Sequence, residues 1–253
     1  MYSVSVCMAS YNGGQYISEQ IDSILPQLNN DDELIIVDDG STDLTLEIIK
    51  DYSNPMIKLY ANRVNLGVVD SFEKSLSLAS GDIIILSDQD DIWLPGRVQA
   101  VRDTFRDIEG ASVVVVNAYL MHDDRIDLET FYEVRRSGAG MLKNLYKNTY
   151  IGCCMAVRRE VLELALPFPK HITMHDQWLG LVGELCGKST FLEDRFVVYR
   201  RHGGNLTGLT RGKIKSVINK RLIAASMVAE AYGRKIFGHK TLKEHQTECA
   251  SYE

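Results

Sequence analysis

The sequence predicts an α/β domain with a mostly parallel central sheet flanked by helices. Three observations predict it. Apolar runs of strand length alternate with stretches whose apolar residues recur at helical spacing. The runs "LIIV" and "IIIL" are continuously apolar, as suits strands covered on both faces. A polar cluster follows each of the first four runs, at the carboxyl ends where open α/β sheets bind ligands.

Each element follows from local chemistry. "SVSVCMA" (3–9) reads as a buried strand. After Gly13 and Gly14, Ile17, Ile21, Ile24, Leu25 and Leu28 fall at helical spacing, and Pro26 kinks or ends that helix. "ELIIVD" (33–38) is the second strand. "DDGSTD" turns the chain, with Ser41 or Thr42 suited to cap a helix that turns Leu44, Ile48, Ile49 and Tyr52 inward. "MIKLYA" (56–61) is a third strand, Val69, Phe72, Leu76 and Ala79 mark a helix closed by Gly81, and "DIIIL" (82–86) is a fourth strand. Strands separated by helices imply right-handed βαβ crossovers. Val98, Val101, Phe105 and Ile108 give another helix, and "SVVVVNAYLM" (112–121) another strand. Residues 122–148 carry no readable period. "YIGCCMAVRR" (150–159) reads as a strand, and Trp178, Leu181, Val182 and Leu185 as a helical stripe. "TFLEDRFVVYRRHGGN" (190–205) reads as a hairpin running into a loop. The shift in pattern near residue 210 suggests a catalytic domain over 1–210 and a C-terminal extension over 211–253.

Composition narrows the function. With 253 residues, 45% apolar and 25% charged, the chain is ordinary for a soluble globular protein. A net charge of −6 argues against broad nucleic-acid binding, which favours a basic chain. Five cysteines, an odd number with no Cys-x-x-Cys pair, argue against a disulfide framework or a zinc site and fit a reducing cytoplasm. The start "MYSVSVCMASYNGG" has neither the basic nor the apolar region of a signal peptide, and no apolar stretch approaches the roughly 18–20 residues of a membrane span.

The fourth strand runs into "ILSDQDDIW", which crowds Asp88, Asp90 and Asp91 together. Like charges near a core are costly unless a cation joins them. In an extended segment residues i and i+2 share a side, so Asp88 and Asp90 would converge. Two such carboxylates suit a hard divalent ion, Mn2+ or Mg2+, with substrate phosphates completing its shell. Alone, Asp-x-Asp is a common pattern of solvated loops.

Set in context, the sequence resembles the family 2 glycosyltransferases of the GT-A type, a Rossmann-like fold. The resemblance rests on "VCMASYNGGQYISEQIDSIL", "ELIIVDDGSTDLT", "NLGVVDSFEKSLSLASGDIIILSDQDDIWLPGRV", "MHDQWLGLV" and "YRRHGGN", in family order over roughly residues 1–205. The Asp-Gln-Asp-Asp-Ile-Trp form resembles the bacterial branch that builds surface polysaccharide, including rhamnosyl-, galactosyl- and glucosyltransferases. The resemblance implies an inverting transfer from a UDP- or dTDP-sugar to a hydroxyl of a glycan acceptor, free or carried on a lipid diphosphate. It implies that Ala9, Ser10 and Tyr11 line the base and ribose, that Asp39 accepts from the base imide, and that Asp88 touches the ribose or the metal shell. Asp90 would bind the metal, with His202 as a further ligand or a phosphate donor. Asp176 would be the base that takes the acceptor proton, in a His175-Asp176 pair where many members carry Glu-Asp; the role of His175 stays open. A carboxylate at a helix N-terminus is expected to be held ionised. Arg200 and Arg201 would offset diphosphate charge, and Gly203-Gly204 would give a mobile turn. Gly152, Cys153 and Cys154 would either shape the sugar pocket or simply pack. A processive synthase is not expected, because Gln-x-x-Arg-Trp is absent.

Two other readings compete. A sugar-nucleotide pyrophosphorylase would carry a Gly-rich, Arg-containing loop after the first strand, where this chain has "ASYNGGQY". An inactive nucleotide-sugar-binding scaffold would not need Asp39, Asp88, Asp90, Asp176 and His202 together. "RGKIKSVINKR" (211–221) holds five basic residues and no acid, and Ile214, Val217, Ile218 and Leu222 form a stripe. Such a helix either lies on an anionic membrane face or packs on the domain. Peripheral contact through 211–222 at the inner face of the cell membrane would suit a lipid-linked acceptor.

Overall fold

The computed structural model describes residues 2–123, 125–170, 172–202 and 214–237, with side chains in the last segment from 221 onward. Strand and helix alternate first: β1 (Val4–Ser10), α1 (Ile17–Ile24), β2 (Glu33–Asp38), α2 (Thr45–Asp51), β3 (Ile57–Ala61), α3 (Val68–Leu78) and β4 (Ile83–Ser87). Then come β5 (Ile92–Trp93), α4 (Arg97–Asp107), β6 (Ala111–His122), β7 (Arg125–Thr130), α5 (Phe131–Arg135) and α6 (Met141–Tyr146). The chain continues through β8 (Met155–Arg158), α7 (Arg159–Ala165), α8 (His175–Cys186), β9 (Lys188–Arg201) and α9 (Ile214–Phe237).

One sheet runs through the molecule in the order β3-β2-β1-β4-β8-β6-β9-β5, with β7 paired to β6. The four strands read from the first half pair in parallel. β8 enters antiparallel between β4 and β6, and β9 runs parallel to β6. The carboxyl ends of β1, β2 and β4 therefore open on one side, with their polar residues together. Both faces are covered: β2 is buried throughout, and Phe72, Leu76, Phe105, Trp178 and Leu181 pack from the helices.

Several local expectations change. α1 stops at Ile24 and Pro26 sits in the following 3-10 turn, as its missing N–H requires. α2 is capped neither by Ser41 nor by Thr42; Asp43 accepts from the Thr45 N–H at 3.0 Å, and Leu44 is left exposed. Residues 150–159 are not one strand, because Gly152–Cys154 make a 3-10 turn before β8. The described part of 190–205 is no hairpin. β9 is a single strand of 14 residues, and its polar "EDR" is absorbed as an irregularity, with Leu192 opposite Val116 and Arg195 opposite Asn117.

The 211–222 segment begins outside the described residues, as do Gly203, Gly204 and the boundary near 210. Within α9, Ala224, Met227 and Ala231 are buried, and Leu222 is exposed. Arg234 donates to the carbonyls of Ala165 at 2.9 Å and Pro167 at 2.8 Å, and its guanidinium lies over Trp178. No helix of the described residues is long and apolar enough to cross a membrane.

One buried ion pair fastens the sheet's base. Arg102 of α4 donates to both carboxylate oxygens of Asp32 at 2.6 Å, and Asp32 also accepts from the Val4 and Asn29 N–H groups. Asp32→Ala leaves a nearly buried guanidinium without its counter-charge and is expected to cost about 3–5 kcal/mol, read as a lower urea midpoint at unchanged slope.

Candidate active site

The carboxyl ends of β1, β2 and β4 open into a cleft of about 400 Å³. Ala9, Ser10, Tyr11, Asp39, Asp88 and Asp90 line one side; Arg135, Gly152, Cys153, His175 and Asp176 line the other. The cleft thus brings together most of the residues picked out from sequence.

The two aspartates ending β2 divide their work. Asp38 is wholly buried and accepts from the Ser41 N–H at 2.9 Å and the Ser10 hydroxyl at 3.0 Å, so it makes the turn. Asp39 faces the cleft and accepts from Leu66 N–H (2.9 Å), Gly67 N–H (2.8 Å) and the Asn62 amide (2.9 Å). It therefore also anchors the loop before α3. Tyr11 is fixed by Gln89, whose amide accepts from the Tyr11 N–H at 2.9 Å and donates to its carbonyl at 3.0 Å.

The acid segment is not extended. It bends at Gln89 and Asp90, which changes the expected pairing. Asp88 and Asp91 point together, and their carboxylates lie with the Cys153 sulfur within 4.8 Å of one another. Asp90 instead meets His202, with 2.7 Å between Oδ2 and Nε2. Burial, then the neighbouring acids, pushes Asp88 and Asp91 well above the usual carboxylate range. Asp91 Oδ2 has no partner among the described residues. Oxygen donors held this closely, one of them unpaired, fit a hard divalent cation. Cys153 does not suit one: its hydrogen bond to Cys154, burial and the adjacent acids keep it a thiol.

Arg97, which the sequence reading passed over, lies beneath this cluster. It is wholly buried, stacks on Trp93 at 3.8 Å and donates to the Cys153 carbonyl at 2.5 Å. Burial lowers it to about 10, and the fields of Asp91 and Asp88 oppose that loss. A signal was present, since a cation at the first position of a helix opposes the macrodipole and calls for acids nearby.

The end of β9 lies against the acid segment. The Arg200 N–H donates to Asp91 at 3.1 Å and its Nε to the Asp90 carbonyl at 3.1 Å, while its outer nitrogen pairs with Glu19 at 2.5 Å. Tyr16 stacks on His202, with ring centroids 5.1 Å apart. Arg200, Arg201 and His202 are not among the residues lining the cleft; His202 reaches it through Asp90. Among the described lining residues the one permanent cation is Arg135, from the stretch without a readable period.

Asp176 sits in the first turn of α8 but does not cap it. Its Oδ1 accepts from Gln177 N–H at 2.6 Å and from the Asn148 amide at 3.1 Å. Contrary to the sequence expectation, burial outweighs the helix terminus and pushes the carboxyl up to about 6. That is close to what a general base at neutral pH requires. His175 stacks on Phe72 at 4.0 Å, and neither ring nitrogen has a partner among the described residues. Burial lowers it to about 3, so it stays neutral beside Asp176. A Cβ at Gly152 would stand 2.9 Å from His175 Nε2, which explains the glycine there. Cys154 packs in the core and does not line the cleft.

Known proteins resemble this chain in sequence and in fold. The chain is 30% identical over 216 residues to alr2836, an uncharacterised glycosyltransferase of Nostoc sp., covering 80% of this chain and 66% of that one. It spans 31% and 36% of the lengths of two further bacterial relatives. It is 27% identical over 239 residues to WfaP of Escherichia coli, a UDP-Glc:alpha-D-GlcNAc-diphosphoundecaprenol beta-1,3-glucosyltransferase, covering 93% of this chain and 91% of WfaP. Glucosyl-3-phosphoglycerate synthase of Mycobacterium tuberculosis, solved with Mn2+, uridine diphosphate and glucosyl-3-phosphoglycerate, superposes with a TM-score of 0.61 at 20% identity. That superposition covers 92% of this chain and 80% of the synthase, and it marks the fold as GT-A. The sequence profile described as glycosyl transferase family 2 matches residues 5–165, well over half the chain, and with the cleft built as above this protein belongs to that family.

Proposed function

We propose that this chain is an inverting, metal-dependent hexosyltransferase. It moves a hexose or deoxyhexose from a UDP- or dTDP-sugar to a hydroxyl of a glycan acceptor carried on a lipid diphosphate, in bacterial surface-polysaccharide assembly. The observation that carries the proposal is the composition of the cleft: Asp39, Asp88 and Asp90 on one wall and a buried, weakly acidic Asp176 on the other. WfaP supports the donor and acceptor classes, and the synthase from M. tuberculosis supports a UDP and Mn2+ partnership.

The residues divide the work as follows. Ala9, Ser10 and Tyr11 pack on the base and ribose, and Asp39 accepts from the base imide. Asp88 takes the ribose side of the acid cluster. Asp90 and His202 would hold Mn2+ or Mg2+, with Asp91 close behind. Such an ion, when bound, offsets as a Lewis acid the charge that grows on the leaving diphosphate. Asp176 takes the proton of the acceptor hydroxyl as that oxygen attacks the anomeric carbon from the face opposite the leaving group, which inverts the centre. Asn148 and the Gln177 N–H keep the carboxylate aimed. His175, stacked on Phe72 and neutral, adds no charge beside Asp176. Gly152 and the wall behind it leave room for the sugar. Arg200 braces the acid segment, and Arg200 and Arg201 add positive potential near the diphosphate. Residues 1–210 carry the chemistry, and the extension over 211–253 places it at the inner face of the cell membrane.

A panel of UDP-, dTDP- and GDP-sugars with Mn2+ or EDTA tests the reading by nucleoside diphosphate release in the presence of an acceptor mimic. Metal-dependent release from a UDP- or dTDP-sugar is expected. Pyrophosphate exchange in its place, or tight donor binding with no transfer to any acceptor, would overturn it.

A further inference from the structure

A second group of charges stands beside Asp176, outside the donor machinery. Four cations gather there with no acid paired to them among the described residues: Arg135 and Arg136 at the end of α5, and Lys143 and Lys147 of α6 and its cap. The backbone draws them together. Lys147 Nζ donates to the Arg135 carbonyl at 2.9 Å, and Lys143 Nζ to the Ser137 carbonyl at 3.1 Å. Arg136 lies in the left-handed region at φ 57°, which ends α5 and turns its exposed side chain out. The neighbouring acids are engaged elsewhere. Glu133 closes back on Thr130, and Glu184 accepts from Gly140 N–H and the Tyr150 hydroxyl. Burial and then the fields of Arg135, Arg136 and Lys143 lower the Lys147 pKa. A cluster in mutual repulsion has unspent affinity for an anion.

Its position says which anion. Arg135 lines the cleft with Asp176 and lowers that carboxyl's pKa through its field. Asn148, next to Lys147, holds Asp176 directly. Leu142 and Tyr146 are exposed on the same short helix, and Arg221 of α9 stacks on Tyr146 at 4.0 Å. Cations at the base, with apolar side chains just beyond, match a molecule with a hydroxyl, a phosphate group one sugar ring away, and a hydrocarbon after that. Guanidinium forks and ammonium groups both bind phosphate oxygens.

We infer that Arg135, Arg136, Lys143 and Lys147 form the acceptor's diphosphate site, holding the phosphates of a lipid-diphosphate sugar while a hydroxyl of that same sugar faces Asp176. This rests on the acceptor class proposed above and adds that the sugar acted on is the one joined directly to the diphosphate.

The test uses the full chain and two water-soluble acceptors bearing the same sugar, one with a short-chain alkyl diphosphate and one with an uncharged alkyl aglycone, without vesicles. Calorimetry with UDP and Mn2+ present gives binding, and product formation gives KM and kcat. Wild type is expected to prefer the diphosphate acceptor by at least about a hundredfold in kcat/KM, chiefly through KM. In R136Q/K143Q/K147Q that preference is expected to fall to within a few-fold of unity, while Lys50→Gln, on a remote exposed face, keeps it. An equal fall for both acceptors, or an undiminished preference, would overturn the inference. So would loss of binding to phosphatidylglycerol vesicles with the preference intact, which would assign the cations to a bilayer. Transfer to the neutral acceptor with no preference in wild type sinks the site and spares the transferase. Tight binding of the diphosphate acceptor with transfer to neither spares the site and sinks the transferase.

Discussion

Asp176→Asn is expected to abolish sugar transfer while leaving donor binding in place. Asn keeps the acceptor oxygen that Asn148 and the Gln177 N–H use, and it keeps the volume, so the wall should not rearrange. What it loses is the capacity to take a proton, and removal of a well-placed general base costs about 10²–10⁴ in rate. Calorimetry with a UDP-sugar should give a Kd near that of wild type while kcat collapses; substantial residual transfer would remove Asp176 as the base. Wild type should show the matching pH profile. The base works only when ionised, so kcat/KM should rise tenfold per pH unit below about 6 and level off above it. Stability should move the other way. The folded carboxyl titrates at about 6 against 3.8 for the free group, so the folded state holds a proton through that window which the unfolded chain has lost. Stability from this group is thus fully present below the unfolded value and declines as pH rises toward 6. At neutral pH the buried carboxylate is a liability of at most about 3 kcal/mol. Asp176→Asn relieves part of that, and its Tm at pH 7.5 should exceed that of wild type by several degrees.

Asp90→Asn is expected to abolish metal-supported turnover. Asp90 is the acidic side chain that both faces the cleft and meets His202, at 2.7 Å. Neutralising it removes one of the hard oxygen charges that attract a divalent ion. The loss should be about a thousandfold in kcat with saturating donor, the order expected when Lewis-acid assistance worth several kcal/mol is withdrawn. Titration with Mn2+ gives the decisive reading: the half-activating concentration should rise steeply in Asp90→Asn and more modestly in His202→Ala. EDTA should reduce wild type to the level of Asp90→Asn and leave that variant almost unchanged. An unaltered Mn2+ requirement would place the ion elsewhere, on Asp88 and Asp91.

The first half of the chain was legible because its signals are local and redundant. β1 to β4 are apolar runs bounded by Gly, Asn and Asp, and the parallel pairing follows from the helices between them. One wall of the cleft came with it, since those strands end in the residues that line it. Much else depended on contacts between distant segments. The bend at Gln89 and Asp90 turns Asp91 toward Asp88, and no spacing rule within "SDQDD" reveals it. Asn148, Arg135 and Gly152 acquire meaning only when α8 brings Asp176 beside them. The pKa of Asp176 reverses for the same reason: the helix terminus is written in the sequence, while the enclosing wall is assembled from four segments. β9 misled because "EDR" looks like a turn, although pairing with β6 on one side lets the strand carry the interruption. In the unread stretch one signal was present. Thr130 and Glu133 form a capping box, Thr-x-x-Glu, that announces α5.

The family 2 profile match ends at residue 165, yet Arg234 reaches back from α9 to hold the carbonyls of Ala165 and Pro167, and its head covers Trp178 at the root of the helix that presents Asp176. The smallest fragment worth expressing is therefore longer than that match suggests. A version trimmed to the matched region would shed Asp176 itself, and one cut just past β9 would strip the brace from behind it.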